Sequence, residues 1–237
     1  MWKYSALSFA SMLLIAGHSF GQSSVTTLQP YDNQPPKTAA EIAKLNPQDS
    51  YALPWAPVKE SNILWQKRVV REIDVKDADN IALAYNAETP RSSNLANVMI
   101  EAFLAGKYRA YDPNDSRFIN EVSDKDFVAQ LTHSSNGSAA DFNAKKVTGY
   151  RIKEDWLFLK DEHKIIVRII GIGALTQTTG ADGKIVNQPL FWMYYPDVRS
   201  YLAEHKVFAG KDAQNISWDQ YFEGRQFKSK IVKVVGG

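Results

Sequence analysis

Two strand-forming runs in mid-chain, "YRIKEDWLFLK" (150–160) and "KIIVRIIGIGAL" (164–175), are separated only by the charged turn "DEH". Three residues leave no room for a crossover, so the runs must pair as an antiparallel hairpin. Further strands are expected at "WQKRVVREIDV" (65–75), rich in β-branched residues, at "LFWMYY" (190–195), and at "FKSKIVKVV" (227–235), whose lysines alternate outward. A polar turn, "TQTTGADGK" (176–184), leads into the second of these. Helices are short. Leu95, Val98, Met99, Ala102 and Phe103 recur at helical spacing, and Gly106 stands where a helix would stop. "SDKDFVAQL" has Ser123 as cap and Asp126 three residues on, and "PDVRSYLAEH" starts a helix at Pro196. "SWDQYFEGRQF" pairs Ser217 with Gln220 in a capping box. No internal repeat is present. The predicted fold is α+β, a mostly antiparallel sheet with short helices.

The N-terminal quarter has a different character. "MWKY" supplies Lys3, an apolar run follows, and Ser19 and Gly21 precede an expected cut between Gly21 and Gln22. This is the anatomy of a signal peptide over 1–21, its apolar run too short to span a bilayer comfortably. Six of the ten prolines then lie between Pro30 and Pro57. Proline removes backbone donors and fixes φ, so residues 22–60 are expected as an extended arm, with room for one helical turn at "TAAEIAKLN". Trp55, set between two prolines, either anchors the arm on a neighbouring subunit or folds back onto its own domain. Residues 61–237 form the single α+β domain.

The chain has no cysteine, which excludes disulfides, thiolate metal sites, a cysteine nucleophile and a cysteine-linked lipid. A formal net charge of +2 gives no concentrated basic face for nucleic acid. His133, His163 and His205 are not spaced as a metal pair, and no catalytic, metal or cofactor site is expected. Glu154 and Asp155 are consecutive on a strand and point to opposite faces. Glu72 and Asp74 share a face and are the best carboxylate pair for an enzyme of envelope carbohydrate, although a solvated strand face explains them equally well. Gly171 and Gly173 lie inside a strand without a following helix, where glycine makes room for a ring such as Trp192.

Five blocks carry a resemblance: "WQKRVVREIDV", "YRIKEDWLFLK", "VRIIGIGAL" (167–175), "LFWMYYPDVR" (190–199) and "SWDQYFEGRQF" (217–227). In this order they resemble the gliding-motility protein family GldN, also called PorN, of type IX secretion. The resemblance implies a non-enzymatic periplasmic component, peripheral to the inner face of the outer membrane. It implies a ring formed with the lipoprotein GldK (PorK), self-association within that ring, and contact with the inner-membrane motor protein GldM (PorM). No catalytic motif is implied.

"LFWMYY" alternates Leu190, Trp192 and Tyr194 against Phe191, Met193 and Tyr195, apolar on both faces, as in a strand covered on two sides. A core strand is the first expectation, a subunit interface the second, and a stacking groove for a soluble ligand the last. The aromatic candidates for a partner interface are Trp55, Trp65, Trp156, Phe191, Trp192 and Tyr195.

Overall fold

The computed structural model describes residues 52–53, 55, 57–115, 117–133, 144–180, 182–209 and 212–236. The signal segment, the Gly21–Gln22 cut and "TAAEIAKLN" lie outside them. A seven-stranded sheet is built from β1 (Ile63–Asp74), β2 (Ala110–Tyr111), β3 (Gly149–Leu159), β4 (Lys164–Thr179), β5 (Ile185–Pro189), β6 (Trp192–Tyr194) and β9 (Lys230–Val235). Between the last two, β7 (Lys206–Ala209) and β8 (Asp212–Ser217) form a separate two-stranded ribbon. The α-helices are α1 (Leu95–Leu104), α2 (Asp124–His133), α3 (Tyr195–Glu204) and α4 (Trp218–Glu223). The architecture is the α+β one expected.

The strand order is β2-β6-β4-β3-β1-β9, and every pairing is antiparallel. The hairpin is its centre. Leu159 faces Lys164, Gly149 faces Leu175, and His163 adopts φ +51° in the tight turn. The register slips once, between Lys153 and Glu154, where Ile170 has no partner in β3. The other edge of β4 is shared in tandem by β5, at Leu175–Thr179, and β6, at Gly171–Ile172.

Paired residues share a face. Ile73, Tyr150, Ile152, Ile172 and Ala174 line one face and enter the main core with Met99, Phe103, Phe127, Leu202, Trp218 and Phe222 from the helices. Towards the hairpin turn the same face carries Trp65, Trp156, Phe158, Ile165 and Val167, all only half-buried. A smaller cluster of Val58, Leu157, Leu159 and Ile166 packs separately.

Local chemistry sets the helix ends. Asn94 Oδ1 accepts the Asn97 N–H, and α1 stops where Gly106 turns to φ +64°, with Gly106 N–H on Phe103 O and Lys107 N–H on Ala102 O. Ser123 Oγ accepts the Asp126 N–H, and Ser217 with Gln220 completes the capping box in both directions.

Three expectations need correction. In "LFWMYY" only Trp192–Tyr194 is strand, because α3 takes Tyr195 as its first residue, with Pro196 in its first turn. The short strands β2, β5, β7 and β8 were not expected, being brief and polar or isolated. β9 does not bury its apolar residues between outward lysines; all six of its residues are exposed.

Candidate partner-binding surface

The six candidate aromatics separate into two groups. Phe191 and Tyr195 are fully buried, Phe191 against the Phe127 ring at 4.7 Å and Tyr195 with its hydroxyl 3.3 Å from Asp219 Oδ1. Trp192 is buried too. Its Nε1–H donates to Pro113 O at 2.9 Å, and the Lys153 ammonium sits 3.9 Å from its ring centre. As expected, Gly173 makes room beside it: an added Cβ would lie 2.6 Å from Phe191 O and 3.3 Å from the Trp192 ring. Gly171 instead accommodates Phe118, whose ring a Cβ there would overlap. Phe191 and Tyr195, both fully enclosed, offer no open stacking platform.

Trp55 folds onto its own domain. Its Nε1–H donates to Glu223 Oε2 at 2.7 Å, and its ring lies 4.2 Å from the Arg199 guanidinium and 5.1 Å from that of Arg168. Two residues earlier, Leu53 N–H donates to Asp219 Oδ2 at 2.7 Å and Leu53 O accepts from Arg199 at 2.6 Å. The end of the arm is thereby latched to α3 and α4. Burial outweighs Arg199 at Glu223 and, with repulsion from Asp219, pushes that carboxyl up to about 7. Burial likewise pushes Arg168 down to about 9, against the pull of Glu223 and Asp155. Its three guanidinium nitrogens have no hydrogen-bond partner among the described residues.

Trp65 and Trp156 are the two that remain half-exposed. Trp65 stacks on Phe158 with ring centres 5.8 Å apart and planes 10° from parallel, and Lys67 sits 5.5 Å over it. Trp156 is held by its Nε1–H on Glu154 Oε2 at 2.9 Å and by Arg71 at 5.8 Å from the ring. Ile231 and Val234 of β9, both exposed, share this face through their pairing with Arg71 and Val69. An aromatic and aliphatic strip thus occupies the part of the face that the helices do not cover.

The carboxylates are engaged in structure. Glu154 is fully buried between Arg71, at 3.0 Å, and Arg225. Asp155, on the opposite face, pairs with Arg68 at 2.7 Å. Burial would raise the Glu72 carboxyl, but Arg151, Asn187 and Lys230 together hold it below its ordinary value. A glycosidase acid needs the opposite shift. Asp74 is exposed and accepts the Lys76 N–H, so these two do not form an acid–base pair. His163 lies in the hairpin turn, and His205 Nδ1 lies 2.8 Å from Tyr201 O. The His133 side chain is outside the described residues. No cluster of His, Cys, Asp and Glu able to hold a metal occurs among the described residues.

Of the two readings of Trp55 the structure shows the one in which it folds back onto its own domain, whereas the charge network around it and Arg168 are not indicated by the sequence. Arg199 and Asp219 sit among apolar residues in "PDVRSYL" and "SWDQYF", and a charge on the core stripe of an amphipathic helix was the available signal.

The folded region is therefore an antiparallel α+β domain whose buried charges serve its own architecture. The sequence pattern of the family described as gliding motility associated protein GldN matches residues 58–236. The chain belongs to the GldN family, and so to the proteins of gliding motility and type IX secretion. A comparison with curated proteins finds no match. Among the described residues no helix is long and apolar enough to cross a membrane.

Proposed function

We propose that this chain is a non-enzymatic structural component of the type IX secretion and gliding machinery. It is made with a signal peptide (1–21), an extended arm (22–60) and one assembling domain (61–237). It acts in the periplasm, peripheral to the inner face of the outer membrane. There it forms a ring with the lipoprotein GldK (PorK) and contacts the motor protein GldM (PorM). The observation that carries this reading is the family match over 58–236, nearly the whole folded region. The exposed Trp65–Phe158–Trp156 strip supports it, since half-buried tryptophans on an uncovered sheet face are typical anchors for a protein partner. Ring closure needs two different contact surfaces on each subunit, because head-to-tail association joins unlike patches. A chain with no cysteine for lipid attachment also needs an anchored companion to stay at a membrane.

Co-purification from detergent-solubilised envelope, followed by negative-stain imaging, tests the reading. Rings containing GldK (PorK), with GldM (PorM) co-purifying, are expected. A Trp65→Ala/Trp156→Ala chain should lose at least one companion, because removing an interface anchor costs about 2 kcal/mol or more of binding. A monodisperse monomer without companions refutes the assembly role.

A further inference from the structure

β9 is the last strand of the sheet and pairs only with β1, so its outer row of N–H and C=O groups has no strand beside it among the described residues. Ile231, Val232, Val234 and Val235 are each 44–54% exposed. Proteins commonly blunt such an edge by shortening it, by proline, by lysine, by a bulge or by covering it. β9 is six residues long and has no proline, but it carries Lys230, Lys233 and a bulge at Val232, which disfavour a like edge and leave an acidic strand as the fitting one. Its two sides differ. Ile231 and Val234 lie on the face of the Trp65–Trp156 strip, whereas Lys230 and Lys233 lie opposite, paired with Glu72 and Val70. A register shift at Val232 brings both lysines to one side although they are three residues apart.

On the lysine side a cleft of about 380 Å³ is lined by Arg68, Arg117, Arg151, Lys153 and Lys233, with Asp115 its only carboxylate. Asp115 is occupied by the backbone N–H groups of Arg117, Ile119 and Asn120. Arg68 and Arg151 are matched by Asp155 and Glu72, but Arg117 and Lys233 have no carboxylate partner among the described residues. The Lys153 ammonium is held between the Trp192 and Phe118 rings and donates to Asp115 O. Arg151 Nε is buried without a hydrogen-bond partner. Positive charge is in excess beside an open strand edge.

We propose that β9 accepts an extended segment of a partner protein as an added strand, apolar beside Ile231 and Val234 and acidic on the Lys230–Lys233 side. Backbone pairing supplies affinity in such strand addition, and the alternating side chains supply specificity. The open edges of the same sheet in a second copy do not match, because β5, "IVNQP", and β2, "AY", carry no acidic residue and β9 itself is basic. The inference rests on the assembly role proposed above and gives the chemistry of one of its contacts.

Fluorescence anisotropy of the mature chain with a labelled hexapeptide of alternating valine and glutamate tests it. Comparison peptides replace glutamate with lysine or interrupt the acidic peptide with proline, which cannot complete a strand ladder. The acidic peptide should bind and should slow hydrogen exchange at β9 amides. Arg117→Glu/Lys233→Glu, which alters two exposed side chains outside the ion-pair network, should weaken it at least tenfold and favour the lysine peptide. Absence of binding, equal binding of the proline-interrupted peptide, or an unchanged affinity in the variant overturns the proposal. Binding of phosphatidylglycerol vesicles in place of the peptide, or a self-complex that the variant dissolves, overturns the choice of occupant. Failure of the peptide with envelope co-purification intact refutes this contact alone, whereas failed co-purification of the unaltered chain refutes the assembly role.

Discussion

Asp219 is the acceptor on which the arm latch converges. Fully buried, it takes the Leu53 N–H at 2.7 Å, Arg199 at 2.8 and 3.2 Å, and the Tyr195 hydroxyl at 3.3 Å. Asp219→Ala leaves the Arg199 side chain, itself 9% exposed, with Leu53 O and, among the described residues, Glu223 at 3.9 Å as its remaining carboxylate. Removing one partner of a buried ion pair costs about 3–5 kcal/mol. The low end is expected, because Asp219 also repels Glu223, and relief of that repulsion frees Glu223 to ionise towards Arg199. A loss of about 3 kcal/mol is a large share of the 5–15 kcal/mol typical of a domain. Replacing both partners, as in Arg199→Met/Asp219→Leu, leaves no orphaned charge and should cost less than Asp219→Ala alone. Guanidinium unfolding followed by tryptophan fluorescence measures both, provided the denaturant slopes agree. Faster hydrogen exchange at the Leu53 amide should accompany the single change. A loss below about 1 kcal/mol, or a double variant weaker than Asp219→Ala, would refute the latch.

Glu223, raised from 4.5 to about 7, stabilises the fold fully below pH 4.5, and that stability is lost as pH rises through 7. At about 1.4 kcal/mol per unit this amounts to on the order of 3 kcal/mol, and Glu223→Gln, which keeps an acceptor for Trp55, should flatten the difference in unfolding midpoints between pH 5 and 8. Gly171→Ala pushes a methyl into the Phe118 ring and should destabilise by about 1–3 kcal/mol, with recovery in Gly171→Ala/Phe118→Leu by thermal unfolding. Trp65→Ala/Trp156→Ala, by contrast, should leave far-UV circular dichroism unchanged while weakening partner capture.

The legible parts of the fold were local. A three-residue turn dictated the central hairpin, and Ser123, Ser217 with Gln220, and Gly106 marked helix ends because a cap is chemistry within one helical turn. The apolar character of "LFWMYY" is that of core material, but its period does not tell that Tyr195 starts a helix. What escaped depends on long-range contacts. Nothing near Trp55 in sequence indicates that Glu223 will receive its indole N–H, 168 residues away. Nor does alternation in "KIVKVV" disclose that the strand has a neighbour on one side only, which is a property of the sheet's order.

That order also bears on how the sheet closes. Asn80 donates to Asp74 O and Lys228 O and accepts the Lys228 N–H, stapling the entrance of β9 to the end of β1 across 148 residues of sequence. The hairpin can form as soon as its own residues are free to pair, on a microsecond scale. β1, emerging far earlier, finds its outer partner only when β9 arrives. Until then a twelve-residue strand waits with one bare edge, so β9 decides whether the first strand is left adhesive. Removal of β9 should therefore show itself as aggregation during refolding before it shows itself as a lower melting temperature.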